Sequence, residues 1–239
     1  MKKFKSNLDT HPRGSKDGEK KKAIIIGGTG ATGKKLLRQL LDSDQWDGVT
    51  TITRRTVLGG EGHNKLYEVI IDSFKDLSST KDDWNGHDVF FNCIGTTRQR
   101  AGGAKEFIHI EAGISNEAAK MASNAKIHHA SLVSAKGANH TTWAKDWIHP
   151  LLYMRTMGQK EQTILSNFSF NHVSIFKPGM LIRLQGKQTW IESFSESKGF
   201  GLRVDTLASA MIRNVEQVKL GSVEKSPQFF IGNDHIQSS

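Results

Sequence analysis

The amino-acid sequence predicts a doubly wound α/β protein, in which a parallel sheet lies between two layers of helices. Three observations predict this fold. Apolar runs recur along the chain, and several are continuous, as is typical of strands buried on both faces. Segments with helical spacing alternate with these runs. The first run leads directly into a glycine-rich segment, GGTGATG.

The elements follow this alternation in order. Strands are predicted at 23–27, 49–54, 66–71, 88–94, 128–134 and 171–177. Helices are predicted at 31–43, 104–124, 151–167 and 204–218. The link at 56–65 is too rich in glycine for a crossover helix. The region 185–203 is polar without a helical period, which indicates a loop or a lid beside the cofactor crevice. It belongs to a small C-terminal region on the substrate side.

The 239-residue chain is long enough for one domain with a sizeable core, which we assign to 23–239. Residues 1–22 carry eight Lys or Arg against three acidic residues, +5 of the net charge of +9, and almost no apolar residues. We predict a disordered basic leader. A solvated tail and a targeting or membrane-contacting segment both remain open for it.

Composition also bounds the location and the partners. Cys93 is the only cysteine, so no intrachain disulfide can form, and a reducing, cytoplasmic location is expected. No apolar run reaches the roughly 20 residues of a membrane span. Because the positive charge concentrates in the leader, no specific nucleic-acid partner is expected. No His or Cys cluster has metal-ligand spacing, so no metal site is expected.

The glycine segment can be read in two ways. Gly28, Gly30 and Gly33 form G-x-G-x-x-G, whereas Gly27, Gly30 and Gly33 form G-x-x-G-x-x-G. Both patterns bring a tight turn and the N–H groups of a helix N-terminus against a pyrophosphate. Because the segment follows a predicted strand and opens a predicted helix, it indicates a Rossmann-type dinucleotide site. A P-loop is disfavoured, since Lys35 stands where Ser or Thr would hold Mg²⁺.

The end of the second predicted strand, TITRR, indicates which dinucleotide binds. Arg54 and Arg55 stand where an NAD site has an acidic residue for the ribose hydroxyl. Guanidinium groups form charge-assisted hydrogen bonds with phosphate, so we predict NADP(H), with a solvated arginine pair as the alternative. Asp72 ends the third strand and is expected near the adenine. Gly95 ends the fourth and lets the backbone approach the cofactor.

These segments, with CIGTTR, SLVSAKGA, LLY and FKPGML, resemble the atypical short-chain dehydrogenase/reductases, and more narrowly the HIV Tat-interacting protein oxidoreductase family. The resemblance implies an NADPH-binding Rossmann domain. The positions that it places on the cofactor are Thr29, Gly30, Ala31, Thr32, Arg54, Arg55, Ile94, Gly95, and the loop from Pro178 to Leu181 over the nicotinamide end. It also implies protein partners, through regulatory roles in transcription, nuclear import and pro-apoptotic signalling.

The family's chemistry is carried by a Tyr-x-x-x-Lys pair. Tyr153 matches the tyrosine, but Met157 stands where the family has the lysine. In the family that lysine lowers the tyrosine pKa from near 10 and holds the nicotinamide ribose, and a methionine can do neither. Lys160 lies on the same helical face as Tyr153 and is long enough to lean back toward it. We interpret Lys160 as a solvated helix residue, with the displaced-lysine role as the alternative.

The family's serine is matched by Ser134, at the end of the fifth predicted strand, although Ala135 follows where relatives often carry a second serine. Ser134 either orients a substrate carbonyl or bonds a nearby backbone group. Trp143, Trp147 and His149 precede Tyr153 in a predicted loop, where they either wall a substrate pocket or tie the loop to the body.

Three functions fit these observations. The first is an NADP(H)-dependent reductase of a small carbonyl, with Tyr153 as acid/base, Ser134 orienting, and Lys160 or water in place of the lysine. The second is an NADP(H)-binding protein with reduced or absent activity that acts through protein partners. The third is a structural protein without a cofactor. The intact glycine turn and arginine pair argue against the third, and Met157 favours the second over the first.

Overall fold

A computed structural model describes residues 2–4, 20–183, 201–218 and 226–239. The strands of its main sheet are β1 (Lys2–Phe4), β2 (Lys21–Ile26), β3 (Trp46–Thr53), β4 (Leu66–Ile70), β5 (Val89–Asn92), β6 (His129–Val133), β7 (His172–Lys177) and β10 (Gln228–Ile231). Their order across the sheet is β1-β4-β3-β2-β5-β6-β7-β10. All of them run parallel except β1, which is antiparallel to β4. A short parallel pair, β8 (Met180–Ile182) and β9 (Gly201–Arg203), lies apart.

The helices are α1 (Ala31–Asp42), α2 (Arg98–Ala101), α3 (Ala104–Ile108), α4 (Ser115–Asn124), α5 (His149–Ser166), α6 (Val204–Gln217) and α7 (Asn233–Ser238). A π-helical turn, His109–Ile114, joins α3 to α4, so the predicted helix at 104–124 is helical throughout. The link between β3 and β4 holds only the 3-10 turn Leu58–Gly60, as its glycine content predicts. The doubly wound α/β fold and its six predicted strands are confirmed.

The alternation of side chains along β2 explains the two helix layers. Ala23 and Ile25 pack into an apolar cluster that includes the leucines of α1 and residues of α6. Ile24 and Ile26 pack into the opposite cluster, which includes residues of α4 and α5. Because both faces of the strand are apolar, both must be covered to exclude water.

The N-terminal residues differ from the predicted disordered leader at both ends of the segment. Lys2–Phe4 form β1 on the edge of β4, and Lys21 and Lys22 begin β2. A sheet edge pairs with any extended backbone, so composition does not reveal such a strand. Residues 5–19 and 184–200 lie outside the described residues, and most of the predicted loop or lid at 185–203 falls there. Within the described part of the chain, no helix is long and apolar enough to cross a bilayer.

A buried hydrogen-bond chain connects β6, β7, α6 and β10. His129 Nε2 lies 2.8 Å from Ser174 Oγ, and Ser174 donates to the Asn214 side chain. The Asn214 amide then donates to Gln228 Oε1 at 2.8 Å. Burial, with a smaller contribution from His172, lowers the pKa of His129 to about 3. The imidazole is therefore neutral in the folded protein at pH values where it is protonated in the unfolded chain.

This pKa difference predicts a loss of stability in mild acid. Between about pH 6.5 and pH 3 the unfolded chain binds a proton at His129 that the folded chain does not, so stability falls as the pH falls. From pH 8 to pH 5 this group should remove about 2 kcal/mol from the free energy of unfolding. Urea denaturation at both pH values should show a smaller loss in His129→Gln than in the unsubstituted chain. Equal losses in the two proteins would contradict the assignment.

Candidate functional site

The candidate site lies at the carboxyl ends of β2 and β5. The chain leaves β2 through α1 toward β3, whereas it leaves β5 through α4 toward β6 on the other side of the sheet. Connections that diverge in this way open a crevice at the strand ends, which is where open α/β sheets bind their ligands.

The glycine turn brings β2 against β5 through close backbone contact. Gly27 has φ +85°, and a Cβ there would lie 2.5 Å from the carbonyl carbon of Cys93. A Cβ on Gly33 would overlap the Gly27 carbonyl oxygen, and the Gly30 N–H donates to that oxygen at 2.9 Å. At Gly28 a Cβ would find ordinary room, 3.5 Å from Thr51. The close approaches therefore favour the reading with Gly27, Gly30 and Gly33.

The turn leaves the N-terminus of α1 open to an anion. No side chain caps the helix at Gly30, and its first turn carries no acidic residue. The partial positive charge of the helix end is therefore not neutralised locally. Thr29 and Ala31 are half-buried at its rim, and Thr32 is buried. The backbone of Gly27 to Gly33 thus forms a concave surface at a helix N-terminus, which additional Cβ atoms would fill. This surface, the phosphate cradle, fits the phosphates of a dinucleotide.

The two arginines lie beside this cradle. Arg54 and Arg55 directly follow β3, which pairs with β2, and both are exposed. The Arg54 guanidinium lies 5.9 Å from the centroid of the Phe74 ring, and the Thr53 hydroxyl donates to the Arg55 carbonyl at 2.7 Å. Asp72 is exposed just beyond the end of β4, one strand further from the turn.

A buried ion pair stands at the end of β5, next to Ile94 and Gly95. Lys160 Nζ donates to the Ile94 carbonyl at 3.0 Å and lies 3.5 Å from Glu111 Oε2. Glu111 Oε1 accepts the Thr96 N–H at 2.6 Å. Lys160 is 1% exposed and Glu111 is 2% exposed. Sequence reasoning did not find Glu111.

The interpretation of Lys160 as a solvated helix residue is wrong. Its side chain points into the sheet end, where the Glu111 carboxylate, carried on the π-helical turn, balances its charge. Burial lowers the pKa of Lys160, and Glu111 acts in the opposite direction. The hydrogen bond and the ion pair direct the ammonium to Ile94 and Glu111.

Tyr153 lies on α5 with its ring against two aromatic neighbours. The ring centroids of Phe107 and His149 are 5.9 Å and 6.3 Å away. Met157, one turn further along, is buried. Burial and the Glu111 carboxylate raise the pKa of Tyr153 to about 12, although Arg183 opposes the shift. A cavity of about 650 Å³ opens beside His149, and its lining is Thr97, Arg98, Gln99, Gly102, Gly103 and His149.

Ser134 belongs to a second buried charged group. Its hydroxyl donates to Glu161 Oε1, and Glu161 Oε2 accepts from Lys177 Nζ at 2.8 Å. Lys177 also donates to the Ala138 carbonyl at 3.2 Å. The Ser134 proton is thus directed to a carboxylate, a partner that neither sequence interpretation included. Glu161 and Lys177 were missed because a mid-helix glutamate and a strand-end lysine have no distinctive spacing.

The loop after β7 lies at the same edge of the sheet. Pro178 is buried and its carbonyl accepts the Lys136 N–H at 2.8 Å, while Leu181 is half-buried in β8. Trp143 and Trp147 are 65% and 72% exposed, so burial of these rings does not tie their loop to the body.

Comparison with known proteins gives relatives over most of the chain. Residues 27–219 match the family model described as NAD(P)H-binding. The chain is 29% identical over 217 residues to Protein HTATIP2 of Rattus norvegicus, covering 86% of each chain. It is 34% identical over 170 residues to Protein FMP52, mitochondrial, of Debaryomyces hansenii, covering 71% of this chain and 70% of that protein.

Solved structures share the fold at low sequence identity. MoeE5 in complex with UDP-glucuronic acid and NAD superposes with a TM-score of 0.65 at 12% identity, covering 89% of this chain and 76% of that one. The oxidoreductase ylbE from Lactococcus lactis superposes with a TM-score of 0.60 at 16% identity, covering 82% and 84%. At these identities the likeness concerns the fold alone.

The close approach at Gly33 predicts a matched pair of stabilities. Gly33→Ala should lower the free energy of unfolding by about 2–3 kcal/mol, because its Cβ meets rigid backbone at Gly27. Gly28→Ala, in the same turn, should cost less than about 1 kcal/mol, since its Cβ has ordinary contacts. Urea denaturation without added nucleotide measures both. Equal costs would show that the turn relaxes around Gly33.

Proposed function

The chain belongs to the NAD(P)H-binding family of atypical short-chain dehydrogenase/reductases that includes HTATIP2, and from that premise we propose that it binds NADP(H) with little or no turnover through Tyr153. The proposal is carried by the surroundings of Tyr153. Burial and, to a smaller extent, the Glu111 charge raise the pKa of its hydroxyl, and Met157, one turn along α5, stands where the family has a lysine.

The preference for the phosphorylated cofactor rests on Arg54 and Arg55. Both are exposed directly after β3, beside the phosphate cradle, and residues 54–60 include no acidic side chain, while the Glu68 carboxylate of β4 is bonded to the Val57 N–H. A 2′-phosphate there gains charge-assisted hydrogen bonds, whereas a bare ribose hydroxyl gains little from a guanidinium.

The low turnover follows from proton supply. A nicotinamide cofactor supplies a hydride when bound. This chain's residues must then deliver a proton to the carbonyl oxygen, and an acid works best when its pKa is near the ambient pH. Tyr153, with its pKa raised to about 12, is a weak acid for that step. The Ser134 hydroxyl donates its hydrogen bond to Glu161 Oε1, so it does not polarise a carbonyl in this arrangement.

Two further expectations accompany the proposal. The regulatory partners implied by family resemblance suit a protein whose cofactor stabilises one conformation instead of turning over. A cytoplasmic location stays a prediction, whereas the FMP52 relatives are named as mitochondrial proteins.

Fluorescence titration of the purified chain with NADPH and NADH tests cofactor choice. NADPH should bind more tightly, and Arg54→Ala and Arg55→Ala should each weaken NADPH by on the order of tenfold while changing NADH little. Lys120→Ala removes an exposed charge on α4, which covers the face of the sheet opposite to α1, and should leave both affinities unchanged. Equal affinity for the two nucleotides would contradict the assignment to NADP(H).

Turnover is tested with NADPH and a panel of aldehydes and ketones. The unsubstituted chain should oxidise NADPH at background rate, whereas Met157→Lys should raise the rate by about tenfold or more, because a nearby ammonium lowers the tyrosine pKa. Met157→Leu is the uncharged control and should stay at background. Rapid reduction by the unsubstituted chain, abolished in the double variant Lys160→Met, Glu111→Gln, which leaves no lone buried charge, would instead support the active enzyme with a displaced lysine.

A further inference from the structure

The cavity beside His149 contains an arginine that no described residue neutralises. Within the part of the chain that the structure describes, the half-buried arginines are Arg98, Arg155 and Arg213. Arg155 donates to the Ala144 carbonyl at 2.7 Å, and Arg213 donates to the backbone oxygen of Ser239 at 2.8 Å. The Arg98 side chain makes no hydrogen bond or ion pair with these or other described residues. A guanidinium has five N–H donors, so Arg98 favours an acceptor that binds from outside.

The other residues of the lining supply polar groups and space. The described lining contains no acidic side chain, and its residues are Thr97, Arg98, Gln99, Gly102, Gly103 and His149. A Cβ on Gly102 or Gly103 would meet nothing within 4 Å, so these glycines leave their side of the cavity open. The volume of about 650 Å³ is in the range of small-molecule sites. The cavity therefore suits a small molecule that carries a negative charge.

The cavity lies between the end of β5 and the start of α5. Thr97 follows Gly95 by two residues at the end of β5. His149 is the first residue of α5, and its ring stacks on that of Tyr153 with a centroid distance of 6.3 Å and an angle of 22°. A molecule that fills the cavity contacts the Arg98 guanidinium at one side and the His149 ring at the other. It therefore lies next to the Tyr153 ring.

We propose that this cavity binds a small organic carboxylate, with the carboxylate on Arg98 and the apolar part against the His149 ring. The planar guanidinium matches a carboxylate through two parallel hydrogen bonds. Arg98 is the one permanently charged residue of the described lining, and it balances a single negative charge. A phosphate monoester carries about two negative charges at neutral pH, which would leave one uncompensated. This site is additional to the proposed cofactor site and does not depend on it.

Titration with butanoate, hexanoate and octanoate, each beside its uncharged primary amide, tests the proposal by ligand-observed NMR. At least one acid should bind saturably, about tenfold or more tightly than its amide. Arg98→Gln should weaken the acid by about tenfold or more and leave the amide unchanged. The matched control is Arg100→Gln, which removes an exposed arginine of α2 outside the lining and should keep the affinity within about twofold.

Three outcomes would overturn the proposal. One is the absence of saturable binding by any of the acids, and another is equal affinity for acids and amides. The third is an equal loss in Arg98→Gln and Arg100→Gln, which would show a general effect of surface charge. Urea denaturation checks that Arg98→Gln is folded. Arg98→Lys repeats the comparison with the charge kept and the planar fork removed, and it should lose part of the affinity.

Repeating the titration with saturating NADPH separates this cavity from the phosphate cradle. The acid should still bind, because the lining of the cavity is distinct from the glycine turn. Displacement of the acid by NADPH would place the anion in the cofactor site and overturn the proposal. If the unsubstituted chain does not bind NADPH, the proposed function is refuted, while saturable binding of the acid through Arg98 would still support this inference.

Discussion

The contact between the glycine turn and the end of β5 is the constraint on which the site depends. Gly27 and Gly33 lack side chains at points where a Cβ would meet backbone, so α1 begins directly over the junction of β2 and β5. The same closeness brings the N-terminus of α1, the arginines after β3 and the carbonyl of Ile94 to one edge of the sheet. A wider turn would separate the phosphate cradle from the part of the crevice where Tyr153 and Lys160 lie.

Around that edge, charge is arranged in buried pairs. Glu111 with Lys160 and Glu161 with Lys177 each place a carboxylate and an ammonium where solvent is excluded. Such pairs contribute little net stability compared with apolar residues of the same size, but removing one partner is costly. Their contribution is therefore to fix geometry, because each side chain is held by a partner on another element. Ser134 is fixed in the same way, by a carboxylate on α5.

Much of the fold could be predicted because its signals are local. Continuous apolar runs and a glycine turn followed by leucines at helical spacing specify buried strands and the first helix. β10 was not predicted, since four residues on a half-exposed edge give no clear period. The burial of Lys160 could not be predicted from the local sequence, because an exposed helical lysine and one paired with a glutamate have the same local pattern. Its partner, Glu111, lies on a different helix far along the chain, and only folding brings the two together.

The position of Cys93 makes the reactivity of its thiol a measure of opening at the junction of β2 and β5. The only thiol of the chain is buried behind the glycine turn, and burial raises its pKa to about 12, so it resists reagents that require a thiolate. Its rate of alkylation therefore measures how often the junction of β2 and β5 opens. A ligand that spans this junction must slow that rate in proportion to its occupancy. The opening of the crevice can thus be followed with a small reagent, independently of any turnover.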